Sequence, residues 1–537
     1  MENKKELERK SLLQKIWAIA NAVRCRFEVP ILRNYILGFL FYRFLSENIT
    51  RKINANMKKW NEEFDFSTSD ESQLPKELFE NARENVGYYI SPNNLFCNVA
   101  KNSSTNKNLN IDLKKIFEDI EISTKGLDSE EDFRGLFDNL NFNDNRWGKT
   151  PDDKSKNISN ALIKISEIDF GNYWDNSIDA FGDAYEYLMT MYAKNAAQSD
   201  GEFFTPQEVS ELLAKITLID FNNLSENHIY KQRVDRVYDP TCGSGSLLLK
   251  FAKILPKEEG EVKVRFYGQE LNISTFNLAR MNMFLHDIPY DNFRIASGDT
   301  LKDPDPVIDQ YKGKYDAIVA NPPFSEPWEG EDNPTLANDP RFTPAGVLAP
   351  KGYADWAFTM HILSYLAETG TAAVVNFPGA LSRPDVEVKI RKYFVENNYI
   401  DTIIQLPKDL FFSTKTDTCI IVLRKNRKDD KVLFVDASKL FIRIDAKNKL
   451  TKEHQEQILD VIINRKEIEY FSKLVSKQEI ETKTRDWNLS VNKYVEKKST
   501  KKIINIVELN KQIKETTLRV NELRTKIDQI VDELENE

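Results

Sequence analysis

The chain has 537 residues and a formal net charge of −9, with 41% hydrophobic and 30% charged residues. At about 100–200 residues per domain, this predicts two to four soluble globular domains, each with ample core. The acidity argues against a chain that grips nucleic acid unaided; no run reaches the roughly 18 apolar residues of a membrane span; the cysteines (Cys25, Cys97, Cys242, Cys419) and the four histidines have no metal-ligand spacing.

The N-terminal MENKKELERK lacks the apolar stretch of a signal peptide, so a cytoplasmic location and no membrane are expected. IWAIANAVR, YILGFLFYRFLSENI, DLKKIFEDIEIS and EEDFRGLFDNL carry apolar residues at helical spacing. Residues 1–169 are therefore expected to form an all-helical N-terminal domain with its aromatic residues in the core. GDAYEYLMTMYA continues the helical pattern, and a polar loop then leads into GEFFTPQ. Thr205 suits an N-cap and Pro206 a first helical position, ahead of QEVSELLAKI. Free backbone N–H groups at such a junction can meet an anionic group.

From about Val234 the pattern alternates: VDRVYDP, VRFYGQE, FRIASGD, YDAIVANPPF and TAAVVNFP read as strands with helical stretches between most of them. IDTIIQLP and TCIIVLRK follow as two strands separated only by a loop, which predicts an antiparallel end. The expected fold over residues 170–428 is α/β, a largely parallel, doubly wound sheet. Residues 325–353 form a long Pro/Gly/acidic loop, and a loop of that length is expected to be functional or mobile. Residues 429–500 read as a polar linker or helical region. Residues 501–537 carry Ile506, Leu509, Ile513, Val520, Leu523, Ile527, Ile530 and Leu534 at heptad spacing, interrupted by Thr516, a coiled-coil-like helical tail suited to subunit assembly.

The chemistry gathers at strand ends. DPTCGSGSLL opens with Asp239, and Gly243 and Gly245 allow a tight turn and close approach of a ligand. The third glycine of a dinucleotide loop and the Lys-Ser/Thr end of a P-loop are both missing. The acid suits a ligand carrying positive charge, such as the amino group and sulfonium of S-adenosylmethionine. Glu270, about 25 residues beyond Gly245, stands where a nucleotide-binding fold grips ribose hydroxyls. Asp299, ending the third strand, is placed to accept from an adenine amine. NPPF (321–324) ends the fourth strand: Asn321 and the Pro322 carbonyl can accept from an NH2 group, Pro323 stiffens the exit, and Phe324 can stack on a flat ring. Taken singly, each of these also reads as a surface acid or a rigid turn.

Together, DPTCGSGSLL, GQE, SGD and YDAIVANPPF resemble the S-adenosylmethionine-dependent amino-methyltransferases, which have a Rossmann-like doubly wound sheet. With GEFFTP before the glycine motif, ADWAF and LPKDLFFSTKTDTCIIVL after NPPF, and helical regions at both ends, nearly the whole chain resembles the modification (M) subunit of a type I restriction-modification system, an adenine-N6 DNA methyltransferase. The resemblance implies donor-binding roles for Glu202, Phe203, Phe204, Thr205, Pro206 and Gln207, for Ser244, Gly245 and Ser246, and for Glu270. It implies a catalytic role for 321–324. It also implies double-stranded DNA as substrate, no metal, and assembly of two M subunits with a specificity (S) subunit and restriction (R) subunits. The chain itself offers no second globular module to read a DNA site and no P-loop for translocation. Methylation of RNA or of a protein glutamine, a non-catalytic scaffold, and an NAD-type oxidoreductase are the competing readings.

Overall fold

The computed structural model describes residues 27–58, 63–170, 181–182, 184–189, 205–225, 228–256, 263–411, 416–444, 447–496 and 506–536. Of the residues and stretches singled out above, IWAIANAVR (16–24), Cys25, Glu202, Phe203 and Phe204 lie outside these.

Five strands form the parallel part of the sheet: β1 (Arg236–Asp239), β2 (Arg265–Glu270), β3 (Phe293–Ser297), β4 (Tyr315–Ala320) and β5 (Leu366–Asn376). Their spatial order is β5-β4-β1-β2-β3, each parallel to its neighbour. Alternate residues face opposite sides. Val237, Ala317 and Val319 enter one apolar core, and Tyr238, Ile318 and Ala320 enter the other. Burial on both faces explains why these strands read as nearly continuous apolar runs. The chain winds outward from β1 through β2 to β3 and then returns to place β4 on the other side of β1. That reversal opens a crevice at the carboxyl ends of β1 and β4, where ligands of open α/β sheets bind.

The anticipated antiparallel end is present. β7 (Cys419–Leu423) lies between β5 and β6 (Ile400–Gln405), antiparallel to both. The stretch after Lys428, expected as a linker, continues the same sheet instead. β8 (Lys431–Asp436) pairs parallel with β6, and β11 (Ser472–Ser476) closes the edge antiparallel to β8, giving nine strands. Their buried cores, such as Val432 to Val435 in β8, are too short to stand out from the lysine-rich flanks. Between them, β9 (Ile442–Ile444) and β10 (Lys447–Lys449) make a small antiparallel pair, and the helix Lys452–Asn464 follows.

The N-terminal region is helical, with long helices at Val29–Met57, Leu109–Ser123 and Pro151–Ser166. Its core is aromatic: the Trp147 ring meets Phe27 at 4.8 Å and Tyr35 at 4.9 Å. This region packs on the helix Ile273–Leu285, where Phe284 meets Phe133 at 5.0 Å and Phe41 at 6.0 Å.

Of the two readings of the long loop 325–353, functional or mobile, its packing disfavours the second. Arg341, 4% exposed, donates to the Thr300 carbonyl at 2.9 Å and the Leu301 carbonyl at 2.6 Å. Leu336, Phe342 and Leu348 are buried with it. The middle of the loop is thus pinned against the end of β3.

The chain from Glu496 onward forms a separate unit. Its helix Ile506–Glu535 buries none of its residues. No described helix is long and apolar enough to cross a membrane.

Candidate active site

Asp239 ends β1 with no exposed surface. One carboxylate oxygen accepts the Thr241 N–H at 3.0 Å, and the other is buried without a partner. Burial pushes this carboxyl up to about 8; the Thr241 N–H opposes the rise, the Glu270 charge adds to it, and the nearby Thr241 hydroxyl, too far for a formed hydrogen bond, opposes it weakly. Buried acids bind protons more tightly because a lone charge is poorly solvated there. A cation brought to Asp239 would reverse that preference.

The turn that follows needs its glycines. Gly243 and Gly245 have φ of +53° and +77°. A side chain on Gly245 would press on Met283 at 3.2 Å, whereas the space beside Gly243 is open. The Gly243 N–H donates to Glu270 Oε2 and the Asn272 N–H to Oε1, each at 2.9 Å. Each carboxylate oxygen keeps accepting capacity beyond these bonds. Asn282 Nδ2 donates to the Ser244 carbonyl at 2.8 Å, and Ser244 and Ser246 are buried. Asp299 Oδ1 accepts the Leu301 N–H at 2.9 Å, and Thr300 Oγ1 donates to the Pro240 carbonyl. The ends of β1, β2 and β3 are therefore cross-linked into one cradle.

The other half of the candidate site lies at the end of the neighbouring strand, β4. Asn321 is 6% exposed; its Nδ2 donates to Thr205 Oγ1 at 2.9 Å, while its Oδ1 is buried with no partner. Thr205 was expected to cap the next helix. That helix instead runs Gln207–Leu218 after Pro206 with no side-chain cap, and the Thr205 hydroxyl serves Asn321. Phe324 is half-buried, its ring 6.4 Å from Phe411 and nearly perpendicular at 78°.

Sequence reasoning missed several supporting groups. Ser325, directly after Phe324, has φ of +53°, a strained value for a residue with a side chain. Asp355, 1% exposed, accepts its N–H at 3.1 Å, and Arg383 donates to its Oγ at 2.7 Å while pairing with Asp355 at 2.8 Å. Only the resemblance of ADWAF hinted at Asp355. Thr241 Oγ1 and both amide atoms of Gln207 are buried without partners, and Leu271 and Ile273 beside Glu270 are 69% and 63% exposed.

A family profile described as N-6 DNA Methylase matches residues 176–503, and one described as HsdM N-terminal domain matches residues 12–165. The chain belongs to the N-6 DNA methylase family, as a type I restriction-modification methylase subunit. It is 41% identical to the methylase subunit of the type I restriction enzyme MpnII of Mycoplasma pneumoniae, over 99% of this chain and 98% of that protein. A type I methyltransferase subunit from Streptococcus thermophilus matches in structure with a TM-score of 0.79 and 32% identity, covering 91% of this chain and 99% of that one. A modification subunit of a Vibrio vulnificus restriction enzyme shares the fold at a TM-score of 0.57 and 17% identity, covering 87% of this chain and 93% of that one. This methylase is an adenine-specific DNA methyltransferase, and its family uses S-adenosylmethionine as methyl donor.

Proposed function

We propose that residues 239–246, Glu270 and Asp299 hold S-adenosylmethionine and that 321–324 present the adenine N6 to it. The observation that carries this reading is the orphaned, buried Asn321 Oδ1, held in place by Thr205 at the other end of the amide. The donor cradle fits the cofactor on the same kind of evidence. Asp239 Oδ2 and Thr241 Oγ1 are buried and unpartnered, Gly243 leaves open space, and Leu271 offers an apolar face beside the Glu270 carboxylate. Glu202 to Phe204, together with Thr205, Pro206 and Gln207, complete the donor site in this proposal. Bound there, S-adenosylmethionine supplies an electrophilic methyl group on a sulfonium.

The protein supplies position and polarity. The adenine N6 lone pair is delocalised into the ring and is a poor nucleophile. Hydrogen bonds from its two N–H groups to Asn321 Oδ1 and the Pro322 carbonyl favour a more tetrahedral nitrogen with an exposed lone pair. As N6 bonds to the methyl carbon, the sulfur–methyl bond would break with its electron pair left on sulfur, and the surplus N6 proton would leave to water. A base inside a duplex cannot reach Asn321, so the target is flipped out and stacks on Phe324. Asp355 and Arg383 keep the turn beyond Phe324 from relaxing out of its strained geometry. Asn321→Ala should lower turnover about 10²–10³-fold, the usual cost of one preorganised group aimed at reacting atoms, with donor affinity unchanged. Unchanged turnover would overturn the assignment.

Site choice comes from elsewhere. The heptad helix Ile506–Glu535 presents its apolar seam unpaired, as a docking element for a specificity subunit. The full assembly is two copies of this chain on one specificity subunit, joined by restriction subunits for cleavage, acting on double-stranded DNA. A cytoplasmic setting accords with DNA as substrate and with the free thiols of Cys97, Cys242 and Cys419.

A further inference from the structure

The β9–β10 hairpin borders the acceptor side of the crevice and is built into it. Asn448 Nδ2 donates to the Lys408 carbonyl at 2.9 Å, and the Asn448 N–H donates to the Asp409 carbonyl at 3.1 Å. Lys447 Nζ donates to the carbonyl of Phe411, the residue whose ring faces Phe324. Arg443 bridges Asp409 at 3.2 Å and the Asn448 side chain at 3.0 Å. Leu450 at its base is buried and Leu440 packs against the same core. The hairpin is thus fixed at its root to the segment that touches Phe324.

Its outer face has a composition that stability does not explain. Phe441, Ile442 and Ile444 are 38%, 44% and 46% exposed. Ile442 and Ile444 share one face of β9 by alternation, with Phe441 just before it, and large apolar residues this exposed on so short a pair are a binding surface rather than a core. Around them the charge is basic. Residues 439–453 contain Lys439, Arg443, Lys447, Lys449 and Lys452 against Asp445 and Glu453, within a chain whose net charge is −9; Arg443 and Lys447 serve the root, which leaves Lys439, Lys449 and Lys452 for a partner. An apolar ridge flanked by cations fits a polyanion with an apolar interior, which is the chemistry of duplex DNA.

We propose that this hairpin grips the duplex beside the extruded adenine, its apolar ridge against the sugar and base edges of a groove and its cations on phosphates. This rests on 321–324 being the acceptor site, because it is that site which brings the duplex here. An acidic chain that must pull a base from its stack needs local compensation for phosphate repulsion, and the hairpin offers it next to the pocket.

The test uses the purified methylation complex and measures duplex affinity by fluorescence anisotropy across salt concentrations. Donor affinity, melting temperature and assembly mass are recorded alongside. Ile442→Ser with Ile444→Ser should weaken DNA binding about tenfold and leave assembly mass unchanged. Lys449→Gln should reduce the salt slope by about one, as loss of one phosphate contact does. If the double variant melts lower, Lys449→Gln decides alone. Unchanged DNA affinity and slope, or a loss traced to dissociated subunits, would overturn the proposal. Asn321→Ala serves as the separate control. Normal turnover by that variant sinks the acceptor reading, whereas the hairpin is judged by affinity alone.

Discussion

Asn321 is tied at one end of its amide and bare at the other, and Asp239 repeats that pattern on the donor side. Both are buried polar groups with a bond left unmade, an arrangement that costs stability and is kept where a ligand completes it. For Asp239 the consequence is a pH dependence. Its folded value, pushed up to about 8, lies above the ordinary carboxylate value. Without donor the folded chain therefore binds a proton that the unfolded chain has already released, and stability falls as pH rises from about 4 to about 8. A cationic donor prefers the ionised form, so its binding expels that proton. Donor affinity measured by calorimetry should rise with pH up to about 8 and then level off, and Asp239→Asn should flatten the profile. The residue types and their order were legible in the sequence. What was not legible is which bond each makes: Thr205 was read as a helix cap, and only the fold brings its hydroxyl to Asn321, 116 residues away.

At the scale of elements, the helix Ile273–Leu285 joins the donor cradle to the N-terminal region. Asn282 holds the Ser244 carbonyl on one side. On the other, Arg280, 1% exposed, donates to the carbonyls of Glu131, Asp132 and Arg134 at 3.0, 3.0 and 2.9 Å. Arg280→Ala strands those acceptors and should destabilise the protein by about 3–5 kcal/mol, read as a lowered denaturation midpoint. It should also weaken donor binding through Ser244. The alternating strands of the parallel core were evident from sequence because each is a continuous apolar run. β8 and β11 escaped because their short strands sit among lysines, and pairing of β8 with β6 and of β11 with β8 supplies the order their own pattern lacks. The loop 325–353 read from its length as functional or mobile, and the buried Arg341 that argues against mobility shows its bonds only in the fold.

For the whole molecule, the division is between a compact unit up to Val495, which carries the crevice, and a helical tail that buries nothing. Removing the chain from Ile506 onward should leave the melting temperature and donor affinity unchanged and abolish association with the specificity subunit, checked by the mass of the purified complex. A truncated chain that still assembles would move the docking surface elsewhere. The heptad spacing was plain in the sequence because an unburied seam has no tertiary packing to obscure it.

In the proposed function labour is divided: the chemistry takes place at Asn321, and another subunit chooses the adenine. The most direct measurement maps N6-methyladenine in genomic DNA while the specificity subunit is exchanged and this chain is held constant. The methylated sequence should change with the specificity subunit and vanish with Asn321→Ala. Methylation of one defined sequence by the isolated chain, or a pattern indifferent to the exchange, would contradict it.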